Sequence, residues 1–526
     1  MTILDNKKQA ELIGNGWDIE MTTLLGIDLG TSSVKTAAMD PAGRLVGLSQ
    51  QSYDIHSPLV GYAEQEPQLW WEAVQQTLSE SVRHSGAGSS DRYAIGLSGQ
   101  MHGLVAIGMD GRVLRPAIIW CDQRSIEQKE QLEAMYSIEQ LGKLVQNRAA
   151  TGFLLLSLLW LKQNEPDTYE KIWKVMLPKD YIRYKLTGEI GTESTDASGT
   201  LAYDVANKCW SRELLGQLGI DPQLLPTVRE PWEVAGTLTA EAANDCAIPA
   251  GTIVVFGGAD QPMQAIGNGI LHQGQASCTL GTGGQWFVPV ATPTYDSLLR
   301  THTFTHAAPG KWYMMAAMLS AGLSHRWLTE NILQNKDSRS LDESAAKVPP
   351  GSEGLIFLPY LTGERTPHMD PFARGAMFGL TLKHNEEHLV RAVMEGVAFG
   401  LRDGLEVLVA LGVRVDRIVM AGGGAKSAVW LQILADVLSS ELYPSAMKEQ
   451  ACIGAAMMAG VGAGIYASIE EACEIVVKQA ERPITPILKN RSVYEEQYAF
   501  FRELYQCNKE LFKRMSDLTN RSHSSQ

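Results

Sequence analysis

Apolar and polar positions alternate in short runs at the start of the chain and lengthen into helical spacing later. From Thr23 to Asp40 the sequence T-L-L-G-I-D-L-G-T-S-S-V-K-T-A-A-M-D reads as two apolar strands around a turn rich in Gly, Thr and Ser. Asp40-Pro41-Ala42-Gly43 makes a second turn before another strand from Arg44, so a hairpin and meander are predicted. A helix follows from Glu64-Gln65-Glu66-Pro67 through Trp70, Trp71 and Val74, with Pro67 suited to its first turn. Tyr93 to Ser98 is a short buried strand ending in Gly99-Gln100-Met101-His102-Gly103. Strand, helix and strand in this order predict the α/β class.

The same plan recurs later. Gly251 to Asp260 reads as a strand that delivers an acid at its carboxyl end, and Gln275 to Gly284 again runs from strand into a Leu-Gly-Thr turn. Leu29-Gly30-Thr31 and Leu280-Gly281-Thr282 are thus read as equivalent turns of two domains built on one plan, each turn facing a shared cleft. Arg417 to Met420 is a strand leading into Ala421-Gly422-Gly423-Gly424-Ala425-Lys426-Ser427 and a helix bearing Trp430, Leu431 and Leu434. Helical spacing also dominates His388 to Ala410. From Ser492 the chain reads as a polar helix that trails into a frayed tail over 516–526.

Length and charge then narrow the classes. With 526 residues the chain exceeds one ordinary core, and two large domains are expected: 21–271 and 272–515, after a loosely attached extension over 1–20. Its 45 Lys+Arg against 59 Asp+Glu leave a net charge of -14. That balance argues against nucleic acid or anionic membrane as a partner. The seven cysteines form no C-x-x-C pair, so neither a disulfide framework nor a zinc site is expected. No secretory signal and no run of about 18 apolar residues is present, and a cytoplasmic protein is expected.

Asp28 stands before a turn whose backbone amides can bind phosphate oxygens while the carboxylate holds Mg²⁺ through water; capping of a plain hairpin is the alternative. Gly281-Thr282-Gly283 has the same two readings. Gly422, Gly423 and Gly424 allow close approach of a flat or phosphorylated ligand. Asp260 is the candidate general base, presented at a strand end, and it doubles as the N-cap of a helix that Pro262 could start; an aspartate there is expected to stay ionised. His102 supplies a polar group for a polyhydroxylated molecule. Trp120-Cys121-Asp122-Gln123-Arg124 joins an aromatic face to an acid and a base, suited to a sugar or equally to a surface ion pair.

Together these pieces resemble the FGGY carbohydrate kinases. The resemblance is carried by G-I-D-L-G-T-S-S-V-K (Gly26 to Lys35), S-G-Q-M-H-G (Ser98 to Gly103), W-C-D-Q-R (Trp120 to Arg124), L-P-K-D-Y (Leu177 to Tyr181), D-A-S-G-T (Asp196 to Thr200), G-G-A-D-Q (Gly257 to Gln261), L-P-Y-L-T-G-E-R-T-P-H (Leu358 to His368) and A-G-G-G-A-K-S (Ala421 to Ser427). It covers Thr22 to Met515. It implies two actin-like, ribonuclease H-like domains around a cleft and transfer of phosphate from ATP, with Mg²⁺, to the C5 hydroxyl of D-xylulose. Carried over by position, Asp260 is the general base, and Asp28 and Asp260 lie near Mg²⁺. Gln100, Met101, His102, Trp120, Asp122 and Gln261 contact sugar; Thr31, Ser32, Lys35 and Gly281 to Gly283 lie at the phosphates; Gly422 to Gly424 and Ser427 lie by adenosine.

Gln261 departs from the Asn of the xylulose branch and is more like the glycerol branch, which leaves ribulose, glycerol or gluconate as alternative acceptors. No peptide-binding module follows the second half, against a chaperone. No G-x-G-x-x-G follows the first strand, against a dinucleotide oxidoreductase. Whether the enzyme forms a homodimer is left open.

Overall fold

Residues 22–86, 91–334, 337–478, 480 and 482–523 are described by a computed structural model. The predicted extension over 1–20 lies outside them. β1 (Thr22–Leu29), β2 (Ser33–Met39) and β3 (Leu45–Ser52) form the predicted meander. Helix α1 (Pro67–Ser85) starts with Pro67 in its first turn and stops at Gly86 in the left-handed conformation. β4 (Arg92–Gly99) returns parallel to β1. β5 (Val234–Thr237) and β6 (Ile253–Val255) complete a mixed sheet in the order β5-β6-β4-β1-β2-β3. The run predicted as one strand up to Asp260 is broken at Gly257, whose positive φ of 73° starts a second short strand, β7 (Gly258–Ala259), on β4. A Cβ on Gly257 would stand 2.2 Å from the Leu97 carbonyl oxygen, so only glycine fits this approach.

The second sheet repeats the plan. β8 (Gly274–Leu280) and β9 (Gly284–Val290) form its hairpin. β10 (His302–Thr305), β11 (Trp312–Met318), β12 (Val415–Ala421) and β13 (Leu442–Pro444) give the order β10-β11-β9-β8-β12-β13. In both sheets the first hairpin strand pairs antiparallel with its successor and parallel with a later strand, β4 in one and β12 in the other. The turns differ by one residue, since Leu29 pairs with Val34 and Leu280 with Gly284.

Between β4 and β5 the chain inserts α2 (Leu154–Asn164), buried in a core apart from the sheet, α3 (Pro178–Thr187), whose Tyr181, Ile182 and Leu186 join the core of the first sheet, and the short α4 (Ser194–Ser198). The apolar run at Phe153 to Leu161 is α2; among the described residues no helix is long and apolar enough to cross a membrane. α5 (Asp260–Gly267) opens directly after β7. α6 (Glu386–Ala410) and α7 (Ala428–Leu438) cover the second sheet.

α8 (Gln450–Gly462) belongs to the second half by sequence, yet it packs on β1 and β4 of the first sheet and against α5. Glycines make this approach: a Cβ on Gly26 would lie 1.8 Å from the Cys452 carbonyl oxygen, and one on Gly96 1.9 Å from that of Ala455. The last helix, α9 (Arg491–His523), remains helical through most of the tail predicted to fray.

Candidate active site

The carboxyl ends of β1, β4 and β7 bring Asp28, Gln100, Met101, His102 and Asp260 together. Register places Asp28 between Lys35 on β2 and Ser98 on β4, and Ser98 Oγ donates to Asp28 Oδ1 at 2.8 Å. Burial raises the Asp28 carboxyl above its ordinary range, with the Ser98 hydrogen bond and Lys35 opposing. Asp260 is not the N-cap that the sequence predicted. Ala259 occupies that place and Asp260 is the first helical residue, its Oδ1 accepting from the Gln261 N–H at 2.7 Å. Nor does it keep an ordinary acidity: burial, then the negative charge of Asp28, push it up to about 7. The helix N-terminus and the Gln261 hydrogen bonds favour the charged form but lose to desolvation and a like charge nearby.

Motifs without an assigned role support the segment that carries Asp260. Lys179 and Asp180 of L-P-K-D-Y sit in α3 and Asp196 of D-A-S-G-T in α4; with Arg183 and Glu193 they form a fully buried charge cluster. Lys179 Nζ donates to the Phe256 carbonyl at 3.3 Å, and Thr195 Oγ1, itself bonded to Glu193, accepts the Ala259 N–H at 2.9 Å. The segment ending in Asp260 is thereby held at both ends.

His102 adopts a positive φ of 74°. Its Nδ1 lies 2.6 Å from the Gly199 carbonyl oxygen, so Nδ1 carries the proton and Nε2 is left as an acceptor. Burial pulls the ring down to about 4, which keeps it neutral at pH 7. It stacks on Phe153 at 4.1 Å, and Phe304 of the second half lies 6.2 Å away, so both halves contribute to this wall. Met101 is buried, and Gln100 keeps a buried Oε1 without a hydrogen-bond partner among the described residues while its Nε2 donates to Gln65.

Other candidates are committed elsewhere. Asp122 accepts from the Ala63 N–H and takes the Arg124 guanidinium on both oxygens, a buried ion pair where the sequence allowed a surface one. Arg124 also reaches Glu64 and covers the Tyr62 ring. Trp120 stays 40% exposed and donates from Nε1 to Thr31 Oγ1 at 2.9 Å, tying an aromatic face to the first turn. Ser32 is exposed in that turn. Lys35 pairs with Glu449, just ahead of α8, at 2.7 Å.

Gln264, one turn along α5 from Asp260, accepts from Thr279 Oγ1 of the second half at 3.3 Å, two residues before the Gly281-Thr282-Gly283 turn. Gly281 and Thr282 of this turn, Gly423, Gly424 and Ser427 line a cleft of about 920 Å³, ample for a nucleotide. Gly422 and Gly424 are needed for packing, since Cβ atoms there would lie 2.6 Å and 2.5 Å from Leu280 atoms, whereas a Cβ on Gly423 would meet open space. Ser427 caps α7 by accepting from the Trp430 N–H. Arg326 and Lys426, which sequence reasoning missed, also line this cleft.

The sequence signature of the "FGGY family of carbohydrate kinases, N-terminal domain" matches residues 23–267, and that of the C-terminal domain matches residues 276–463. The chain belongs to this family. Xylulose kinase of Bacillus subtilis (strain 168) is 35% identical over 491 residues, 93% of this chain and 98% of that protein. The ligand-bound xylulose kinase of Lactobacillus acidophilus superposes with a TM-score of 0.89 at 25% identity, covering 94% of this chain and 100% of that one. Gluconate kinase of the same organism gives 0.88 at 25% identity, over 94% and 99%.

For an FGGY kinase, the fit of a divalent cation is a question of donors. Among the described residues no group of three or more His, Cys, Asp or Glu can hold a metal. Two neighbouring carboxyls, Asp28 and Asp260, each raised in pKa, do suit a cation that keeps much of its water and is held largely by phosphates.

Proposed function

We propose that this kinase transfers the terminal phosphoryl group of ATP to the C5 hydroxyl of D-xylulose, giving D-xylulose 5-phosphate and ADP, in the cytoplasm. The observation that supports the reading is Asp260, a carboxyl poised near 7 at the head of α5: β7 just before it pairs with Ser98 and Gly99, which lead into His102, and Gln264 one turn on accepts from Thr279, two residues before the Gly281-Thr282-Gly283 turn.

Asp260 accepts the hydroxyl proton as the oxygen attacks phosphorus, and its pKa lies where a base works best at neutral pH. Met101, Gln100 Oε1 and His102 Nε2 bind the sugar, with Trp120 at the rim and Gln261 beside the base. The amides of Thr31, Ser32, Thr282 and Gly283 hold phosphate, while Gly281, whose N–H is donated to the Gly283 carbonyl, shapes the turn beside it, and Gly423 lies against the nucleotide. Asp28, with Asp260 beside it, would hold Mg²⁺, which would neutralise phosphate charge when bound. The family relatives named above support D-xylulose as the acceptor.

A coupled assay of ADP release against D-xylulose, D-ribulose, L-ribulose, glycerol and gluconate tests this. The highest kcat/KM is expected with D-xylulose, and negligible rates with all five would overturn the reading. Gln261 and the likeness to a gluconate kinase favour the second reading, a kinase of another polyol acid or ketose, which the same panel would reveal.

A further inference from the structure

The segment G-E-R-T-P-H carries an arginine whose role is unexplained by its own surroundings. Thr366 straps the loop to β11, donating its N–H to the Ala317 carbonyl and accepting the Ala317 N–H at Oγ1. The same hydroxyl donates to the Arg300 carbonyl, two residues before His302. His302 pairs in register with Met315 on β11 and lies 5.9 Å from the Phe153 ring, the ring on which His102 stacks. Arg365 is therefore fixed beside the wall assigned to the sugar.

Its guanidinium has no carboxylate within 4 Å and no side-chain hydrogen bond among the described residues. The adjacent Glu364 attracts this charge but makes no ion pair with it within 4 Å: its Oε1 accepts the N–H groups of Leu319 and Arg365, and burial pushes its carboxyl up to about 8. A half-buried cation with no ion pair within 4 Å among the described residues is costly unless a ligand completes it. The positive charge of Arg365 is felt by both His102 and His302.

We infer that Arg365 is a sugar-binding residue supplied by the second half, its guanidinium donating to carbonyl or hydroxyl oxygens of the acceptor at the His102 end of the cleft. This rests on the functional reading above. The chemistry is complementary: His102 Nε2 accepts from a sugar hydroxyl and Arg365, which has donors only, gives to an oxygen. Because the two groups belong to different halves, one sugar molecule bridges them.

The test is the kinetics of Arg365→Gln and Arg365→Lys together with their melting temperatures. A hydrogen bond from a charged donor is worth about 10- to 100-fold in affinity, so kcat/KM for the sugar should fall by about that factor in Arg365→Gln. KM for ATP should stay within about twofold, and millimolar guanidinium should restore part of the activity. A structural role would lower Tm; removal of an unpaired cation should leave it equal or higher. Unchanged sugar kinetics in an active Arg365→Gln, or a fall in Tm with equal loss for sugar and ATP, would overturn the inference alone. Should the Gln variant fail to fold, wild-type sugar kinetics in Arg365→Lys would overturn it, and a selective rise in sugar KM would support it. A wild-type enzyme inactive towards every sugar overturns the functional reading and this inference with it.

Discussion

Replacing Asp260 by asparagine removes the base while keeping an oxygen to accept the Gln261 N–H at 2.7 Å. In the wild type, burial and Asp28 hold the carboxyl at about 7. kcat/KM, which reports the enzyme before the sugar binds, should then rise with pH through 7 and level off above it. At pH 5.5 only about one molecule in thirty carries the ionised base, so the rate should lie ~30-fold below the plateau. Asp260→Asn should lose this limb and ~10²–10⁴-fold of kcat, with sugar binding retained. Stability moves the other way. A carboxyl held at about 7 in the fold, against an ordinary 3.8, makes folding take up protons, so the wild type loses stability as pH climbs between those values. The full cost is at most ~4 kcal/mol, reached above pH 7 and absent below about pH 4. Asp260→Asn should therefore melt higher than wild type at pH 8 and match it at pH 4. Coupled ADP release from pH 5.5 to 8.5 and thermal melts at both ends provide the measurements. Turnover within tenfold of wild type, or a surviving limb near 7, would refute the assignment.

Asp28→Asn should shift the wild-type limb to lower pH, because the Asp28 charge is the second cause of the raised Asp260, and should increase the Mg²⁺ concentration needed for half-maximal rate. Gly26→Ala should lower Tm, since its Cβ would lie 1.8 Å from the Cys452 carbonyl oxygen; overpacking of this kind costs ~1–3 kcal/mol or more, readable by thermal melts. Gly422→Ala, at a φ of 87° and 2.6 Å from the Leu280 carbonyl oxygen, should destabilise, whereas Gly423→Ala should leave Tm unchanged and raise KM for ATP. Equal thermal behaviour of these two would count against the division of the glycines into packing and ligand positions.

The two hairpins were legible because their signal is local: alternating apolar strands around a Gly-Thr turn need no distant partner. Asp260 was legible as a group at a strand end, but its ionisation was not. That depends on Asp28, which folding brings in from the far end of the domain, and on burial, which no local rule reports. α8 escaped notice because Ala, Gly, Met and Ile surround it on all sides, buried between α5 and the first sheet, so it shows no polar face. Asp122 looked exposed and available in W-C-D-Q-R, yet Arg124 two residues on and the distant Ala63 N–H use both its oxygens. Arg365 sat in a recognised motif, but only the register of β10 and β11 shows which wall it stands beside.

An acidic chain that binds a polyanion must gather its positive potential locally. Lys35 does not supply it unaided, because Glu449 lies 2.7 Å from its ammonium; burial opposes that charge and Glu449 restores it. The pair instead ties β2 to the start of α8, and so joins the halves. What remains for phosphate is of two kinds. Exposed turns in both halves offer backbone amides, which carry no net charge and cost nothing in the overall balance of -14. Arg326 and Lys426 line the nucleotide cleft without an ion pair within 4 Å among the described residues. Under the inference above, Arg365 would do the same at the sugar end. The centre of the proposed site instead holds the acids Asp28 and Asp260. That centre favours a divalent ion and a base over a fixed cation, which would hold Asp260 ionised but weaken it as an acceptor of the hydroxyl proton.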